Sequence, residues 1–186
     1  MASVRVTTTD GRTVTINSEE VARILEQSSY REIWLGPGNI ASTGTTVLSV
    51  KNTMSTLLSS FGLASVTDFN TNRTFAVNSA FVSRVIDETG SYRTIWFGPG
   101  SIPGVASSML SVKETATVLQ TRLSFPKVTD YNNSRINLMN PLYVSRVVNS
   151  GAWREIWTGT GNVEGVAASR TAVRETVAQL KQLGIG

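Results

Sequence analysis

The hydrophobic pattern of the chain changes period in a regular order. A β-rich stretch from Val4 to Ile16 is broken at Asp10-Gly11, a strong hairpin signal. A third strand is expected through Val21-Ala22-Arg23-Ile24-Leu25. A short polar turn then leads to a strand ending at Trp34, which Gly36-Pro37-Gly38 breaks. A short apolar stretch, Thr46 to Val50, predicts a fifth strand. Beyond it the period lengthens: Val50, Met54, Leu57, Leu58 and Phe61 form the i, i+4, i+7, i+8, i+11 stripe of an amphipathic helix.

The same pattern then recurs twice. Tyr30-Arg31-Glu32-Ile33-Trp34, Tyr92-Arg93-Thr94-Ile95-Trp96 and Trp153-Arg154-Glu155-Ile156-Trp157 share one phrase, and their final tryptophans are 62 and 61 residues apart. Asn17, Asn78 and Asn140 fall in register, as do Arg23, Arg84 and Arg146, and Val50-Lys51, Val112-Lys113 and Val173-Arg174. Gly98-Pro99-Gly100 and Gly159-Thr160-Gly161 follow the later tryptophans. The later hairpins turn at Asn70-Thr71-Asn72 and Asn132-Asn133-Ser134, and their third strands are expected at Val82 to Ile86 and Val144 to Val148. Helical stripes run through Val112, Ala116, Leu119 and Leu123, and through Val173, Val177 and Leu180, and Ser111 with Glu114 fits a capping box. A period of this length signals an internal repeat.

The expected organisation is therefore three tandem units, 1–62, 63–125 and 126–186. The fold class is α+β: each unit is a small antiparallel sheet or partly open barrel of four or five strands, closed by one C-terminal helix. A unit of about sixty residues buries a low fraction of its surface and is marginal alone. The links Gly62 to Ser65 and Phe125 to Lys127 are short. Both features predict one compact body with pseudo-threefold or stacked symmetry.

The recurring residues are the candidates for function. Strand alternation sets Tyr30, Glu32 and Trp34 on one face and Arg31, Ile33 and Leu35 on the other. If the Ile face is the core, each unit displays an aromatic pair beside an arginine: Tyr30, Arg31 and Trp34; Tyr92, Arg93 and Trp96; Trp153, Arg154 and Trp157. Such a platform would bind a protein partner or stack bases. If the faces are reversed, the Trp fills the core, and the general dominance of aromatics in cores favours that assignment. Lys51, Lys113 and Arg174 are expected near a helix N-terminus, against the helix dipole. A solvated cation is the simpler account of them, and contact with an acidic partner the other. Arg23, Arg84 and Arg146 are expected in ion pairs with Glu32, Glu88 or Glu155.

Composition narrows the chemistry. With no His and no Cys among 186 residues, the commonest general base, the thiolate nucleophile and the usual transition-metal ligands are missing. The neighbouring acids Glu19-Glu20 and Asp87-Glu88 diverge in a strand or turn and do not recur. Gly-Pro-Gly reads as a turn device, because Pro37 and Pro99 remove amides a phosphate loop would need. No catalytic residue, metal site, cofactor or small-molecule substrate is expected. The net charge is +4, and thirteen of the seventeen cations are Arg, the better fork for carboxylate or phosphate. The N-terminal residues lack a signal-peptide pattern and no run approaches a membrane span, so a cytoplasmic or virion location and no membrane partner are expected.

Two families resemble one unit. Val66-Thr67-Asp68, Asn70, Phe75, Val77 and Asn78, with the Val82–Ile86 strand and a Val-Lys-Glu helix start, resemble the small flagellar accessory proteins of the FlbD type, and the stretch from Val128-Thr129-Asp130 is similar. Those are single copies of such a unit, and similar small domains occur in bacteriophage proteins. The triplication and the Trp-x-Gly-x-Gly phrase depart from that pattern, so a flagellar role does not carry over. The strand order with a closing helix is also similar to PUR repeats, which bind single-stranded nucleic acid on sheet faces, although this chain lacks their Lys-rich character. Two functions follow as expectations: a structural or assembly protein, such as a phage head decoration or adaptor component, binding other proteins through three similar faces; or a single-stranded nucleic-acid binder using the Trp/Tyr/Arg platforms.

Overall fold

The structure, a computed structural model, describes residues 3–35, 47–88, 90–97, 109–158 and 170–186. The first hairpin pairs β1 (Ser3–Thr7) with β2 (Thr13–Asn17). A 3-10 turn at Ser18–Glu20 leads to β3 (Val21–Glu26), β4 (Arg31–Leu35), β5 (Val47–Val50) and α1 (Met54–Phe61). The same order follows in β6 (Ala64–Thr67), β7 (Thr74–Val77), a turn at Ser79–Phe81, β8 (Val82–Asp87), β9 (Arg93–Phe97), β10 (Met109–Val112) and α2 (Ala116–Leu123). It occurs again in β11 (Lys127–Thr129), β12 (Ile136–Met139), a turn at Pro141–Tyr143, β13 (Val144–Asn149), β14 (Arg154–Thr158), β15 (Arg170–Val173) and α3 (Val177–Gln182). The protein is thus β-rich, with small antiparallel sheets and short helices. The Gly-x-Gly segments at 36–38, 98–100 and 159–161 lie outside the described residues.

The sheets are not assembled as the sequence suggests. Each hairpin was expected to complete the sheet of its own unit. Instead the order in one five-stranded sheet is β5-β4-β3-β7-β6, and in another β10-β9-β8-β12-β11. A hairpin therefore adds to the three-stranded meander that precedes it. The register is the same in both sheets: Val77 faces Arg23 and Ala76 faces Ile24, as Met139 faces Arg84 and Leu138 faces Val85. Among the described residues β1-β2 remains a two-stranded sheet and β13-β14-β15 a three-stranded one.

An asparagine fastens each joint. The backbone N–H of Asn78 donates to Ala22 O at 2.9 Å and its Nδ2 to Val21 O at 2.8 Å, while its Oδ1 accepts from Ala80 N. Asn140 does the same with Ser83 O, Val82 O and Leu142 N. One short side chain thereby caps the 3-10 turn and closes the strand end, which explains its recurrence in the sequence. At the other end of the joint Arg73 reaches Glu26 O, and Arg135 reaches Glu88 O.

Two compact units result, Met1–Phe81 and Val82–Gly186. In the first, Val6, Ile16, Ile24, Ile33, Val50 and Leu57 meet in one core with Phe61. In the second, Val128, Met139, Ile156, Val173, Leu180 and Ile185 pack together. Ile33, Ile95 and Ile156, one per tryptophan strand, are fully buried. Each such burial contributes about 1.5–3 kcal/mol.

The helices start later than their stripes imply. Val50, Val112 and Val173 end strands, and Thr53, Thr115 and Thr176 are the N-caps, each hydroxyl accepting from the amide three residues on. The capping box forms at Thr176 with Gln179, not at Ser111, which lies inside β10. Strand pairing with the tryptophan strands takes the valines first; the threonine hydroxyls then set where the helices begin. Lys51, Lys113 and Arg174 consequently precede the caps and are exposed. The Lys51 amide donates to Thr7 O and that of Arg174 to Thr129 O, so these positions latch a strand end onto a hairpin.

α1 ends at Gly62 in the left-handed region (φ 65°), whereas α2 ends at Ser124 in the same conformation (φ 60°). Replacing Asn140 by Ala should cost about 1–2 kcal/mol, from the lost cap and carbonyl contact, read from the urea midpoint. Ser124→Gly should raise the same midpoint by about 0.5 kcal/mol, because it relieves a left-handed conformation at an L-residue.

Candidate functional site: the arginine–tryptophan stacks

Each meander carries the same irregularity. The pairing of β3 with β4 shifts register between Val21 and Arg23, that of β8 with β9 between Val82 and Arg84, and that of β13 with β14 between Val144 and Arg146. The extra residue is a β-bulge. Beyond it, Arg23 stands directly opposite Trp34, Arg84 opposite Trp96, and Arg146 opposite Trp157. Directly opposed residues share a face and touch. The guanidinium carbons lie 4.6, 5.5 and 4.6 Å from the respective indole rings, within cation–π range. Where the bulge residue is a serine, its hydroxyl donates to the tryptophan carbonyl: Ser83 to Trp96 O and Ser145 to Trp157 O, both at 3.1 Å.

The tryptophans are thus neither core residues nor bare platforms. The isoleucine before each takes the core position, and Trp34, Trp96 and Trp157 are half-buried on the opposite face with an arginine over them. Arg23 and Arg84 are 2% and 3% exposed. Burial pulls the pKa of each down to about 10, with Glu32 and Glu88 respectively acting in the other direction. Both stay charged at neutral pH. An indole face supplies part of the attraction that water no longer gives, and arginine is the cation suited to this because it is weakly hydrated and planar. Among the described residues no salt bridge joins these arginines to the acids expected to pair with them; Glu32 and Glu88 act as charged neighbours, and an indole ring stacks against each guanidinium.

The other candidates separate into groups. Arg31 pairs with Glu26 at 2.9 Å and Arg93 with Asp87 at 3.4 Å, each across the strand turn. Tyr30 donates to Glu32 at 3.4 Å, which places both beside Trp34. Trp153 packs against Tyr131 with ring centres 5.2 Å apart, and Arg154 begins β14. Lys51 follows Val50, the partner of Arg31, whereas Trp34 pairs with Val47. Three residues of strand, about 10 Å, separate the two ends, so the lysine positions do not join the stacks. Arg174 instead donates to Tyr131 O at 3.1 and 3.3 Å.

In the second unit the stacked face deepens into a cleft of about 630 Å³. Arg84, Trp96 and Glu88 line one part, and Tyr131, Trp153, Glu155 and Arg170 another. Glu155 accepts from Arg170 at 3.0 Å and from the Trp153 indole at 3.5 Å. Arg170 also lies 5.9 Å from the Trp157 ring. The cleft offers cations, carboxylates and aromatic edges together, a lining suited to a polar peptide surface. Among the described residues no group of His, Cys, Asp or Glu could hold a metal ion, and no helix is long and apolar enough to cross a membrane.

The stacking predicts a measurable coupling. In a double-mutant cycle on urea unfolding, Arg84→Met and Trp96→Leu should show a favourable interaction of about 1 kcal/mol, and additivity would contradict the stack. Trp96→Leu alone should cost more than Arg84→Met alone, because it leaves a buried charge without its ring.

No protein-family model, curated protein or solved structure matches this chain.

Proposed function

We propose that the chain is a non-enzymatic assembly protein that binds other proteins through three similar faces, and that its setting is a phage virion, as a head decoration or adaptor component. The reading takes the chain as a threefold tandem repeat of a β-rich unit closed by a helix, with units 1–62, 63–125 and 126–186. The observation that carries it is the cross-strand Arg–Trp stack, present at Arg23/Trp34, Arg84/Trp96 and Arg146/Trp157. Such a stack fixes each half-buried indole on the sheet face away from the core, and tryptophan and arginine are the residue types that anchor protein interfaces.

The same observation weighs against a single-stranded nucleic-acid binder. A stacking platform needs an open ring face, and here an arginine of the same chain covers each indole. The carboxylates of Glu88, Asp130 and Glu155 line the cleft beside the arginines, where a phosphate backbone would meet repulsion.

Density-gradient fractionation of native particles, probed with an antibody to the chain, tests the reading. The chain should travel with the large particles; finding it wholly in the free fraction would overturn the proposal. In a parallel titration at low salt, oligonucleotides should leave tryptophan fluorescence unchanged, and strong quenching would shift the conclusion to nucleic-acid binding.

A further inference from the structure

Four residues depart from the pattern of the earlier stretches, and all four line one cleft. By the register of Val66-Thr67-Asp68 and Val128-Thr129-Asp130, Tyr131 stands where Phe69 stands. In the tryptophan phrase, Trp153 stands where Tyr30 and Tyr92 stand. β15 opens on Arg170-Thr171, whereas β5 and β10, in the same place in the element order, open on Val47-Leu48 and Met109-Leu110. Three of these changes put a polar group where an apolar one serves elsewhere, and the fourth widens a ring. All four meet in the cleft of about 630 Å³ in the second unit.

These groups hold one another in place. The half-buried rings of Tyr131 and Trp153 lie 5.2 Å apart, tilted by 39°. Glu155 accepts from the Trp153 indole and from Arg170, which fixes the ring and sets two opposite charges against each other. Thr171, 5% exposed, accepts from Arg84 at 3.5 Å. Among the described residues no arginine stacks on Tyr131 or Trp153, in contrast to the tryptophans of β4, β9 and β14. Asn137, 2% exposed, also lines the cleft. Its Oδ1 accepts from the Asp87 amide at 2.9 Å, and its Nδ2 has no partner among the described residues. A buried donor left unspent is costly, and an acceptor in the cleft would relieve it.

We propose that this cleft binds an uncharged saccharide. Arg84 and Arg170 share the lining with Glu88, Asp130 and Glu155, so an ion of either sign meets its own charge as well as its opposite. A neutral polyol escapes that conflict. Its hydroxyls donate and accept at once, which suits carboxylates set beside amide and guanidinium N–H groups. A sugar ring also presents weakly positive C–H groups, which the negative face of an aromatic ring attracts. The volume lies within the range of small-ligand sites. A peptide divides its donors and acceptors between separate backbone groups and uses such a lining less fully.

Binding of the full chain to a printed panel tests it. The panel carries neutral hexose and N-acetylhexosamine oligomers beside uronic-acid oligomers and short polar peptides. The chain should retain a set of related neutral oligomers. Titrated with the best of them, its tryptophan fluorescence should give a Kd that stays within about 2-fold between low and high salt, as an uncharged ligand requires. Trp153→Tyr/Arg170→Met restores the residues that stand at the same places beside β9 and in β10. It should keep the fold by circular dichroism and weaken binding at least ~10-fold. Should that variant lose its fold, Tyr131→Phe removes a single hydroxyl and should weaken binding about 3-fold. Retention of no neutral oligomer, retention of charged oligomers or peptides alone, binding that collapses in salt, or binding indifferent to both variants would each overturn the proposal. The site takes its register from the tandem-repeat reading but not from the assembly role. A chain that binds sugar yet stays off the particles refutes that role alone, and the reverse result refutes the sugar site alone.

Discussion

A strand in the middle of a sheet must satisfy backbone groups on both edges, and β3 and β8 satisfy one edge with a hairpin from further along the chain. Most of what distinguishes this structure depends on that borrowed pairing. It buries Arg23 and Arg84, gives Asn78 and Asn140 their carbonyl partners, and ties β6-β7 to the first compact unit. The boundary at Phe81 and Val82 falls where the borrowed hairpin ends. Adjacent stretches of the chain are thereby joined by hydrogen-bond ladders as well as by side-chain packing.

The second constraint is the bulge. Without the extra residue, strand alternation would carry the arginine out of register with its tryptophan. With it, Val21 and Ile24 both reach the core while Arg23 lies across from Trp34. The guanidinium loses water and gains an aromatic face, and the acids at Glu32 and Glu88 offset part of the loss. Lysine would fit this poorly, being a compact and strongly hydrated charge.

Much of the local structure was legible in the sequence. Alternation and turn residues locate the strands at Val21, Val82 and Val144 and the tryptophan strands to within a residue or so. Helical spacing finds the three helices but starts them too early, because the stripe does not distinguish a strand-ending valine from a first helical turn. Sheet membership was not legible: alternation tells which face a residue takes, not which strand lies beside it. The bulge was equally hidden, so Arg23, Arg84 and Arg146 read as partners for acids. The recurring distance of 11 or 12 residues from arginine to tryptophan was the signal available for the stack. Arg73 and Arg135, each five residues before the asparagine of its joint, were the signal for the joint.

The borrowed pairing also sets an order of events during synthesis. β3 ends at Glu26, and its partner β7 is not complete until Val77, roughly fifty residues later. At about 5–20 residues per second the nascent chain carries an incomplete sheet for several seconds. An edge left open that long invites wrong partners, and a charged side chain set into the edge is a known deterrent. Arg23 occupies that place on β3, and Arg84 on β8. The residue that later lies folded against a tryptophan thus first serves as a guard, keeping each edge soluble until the hairpin shaped for it emerges.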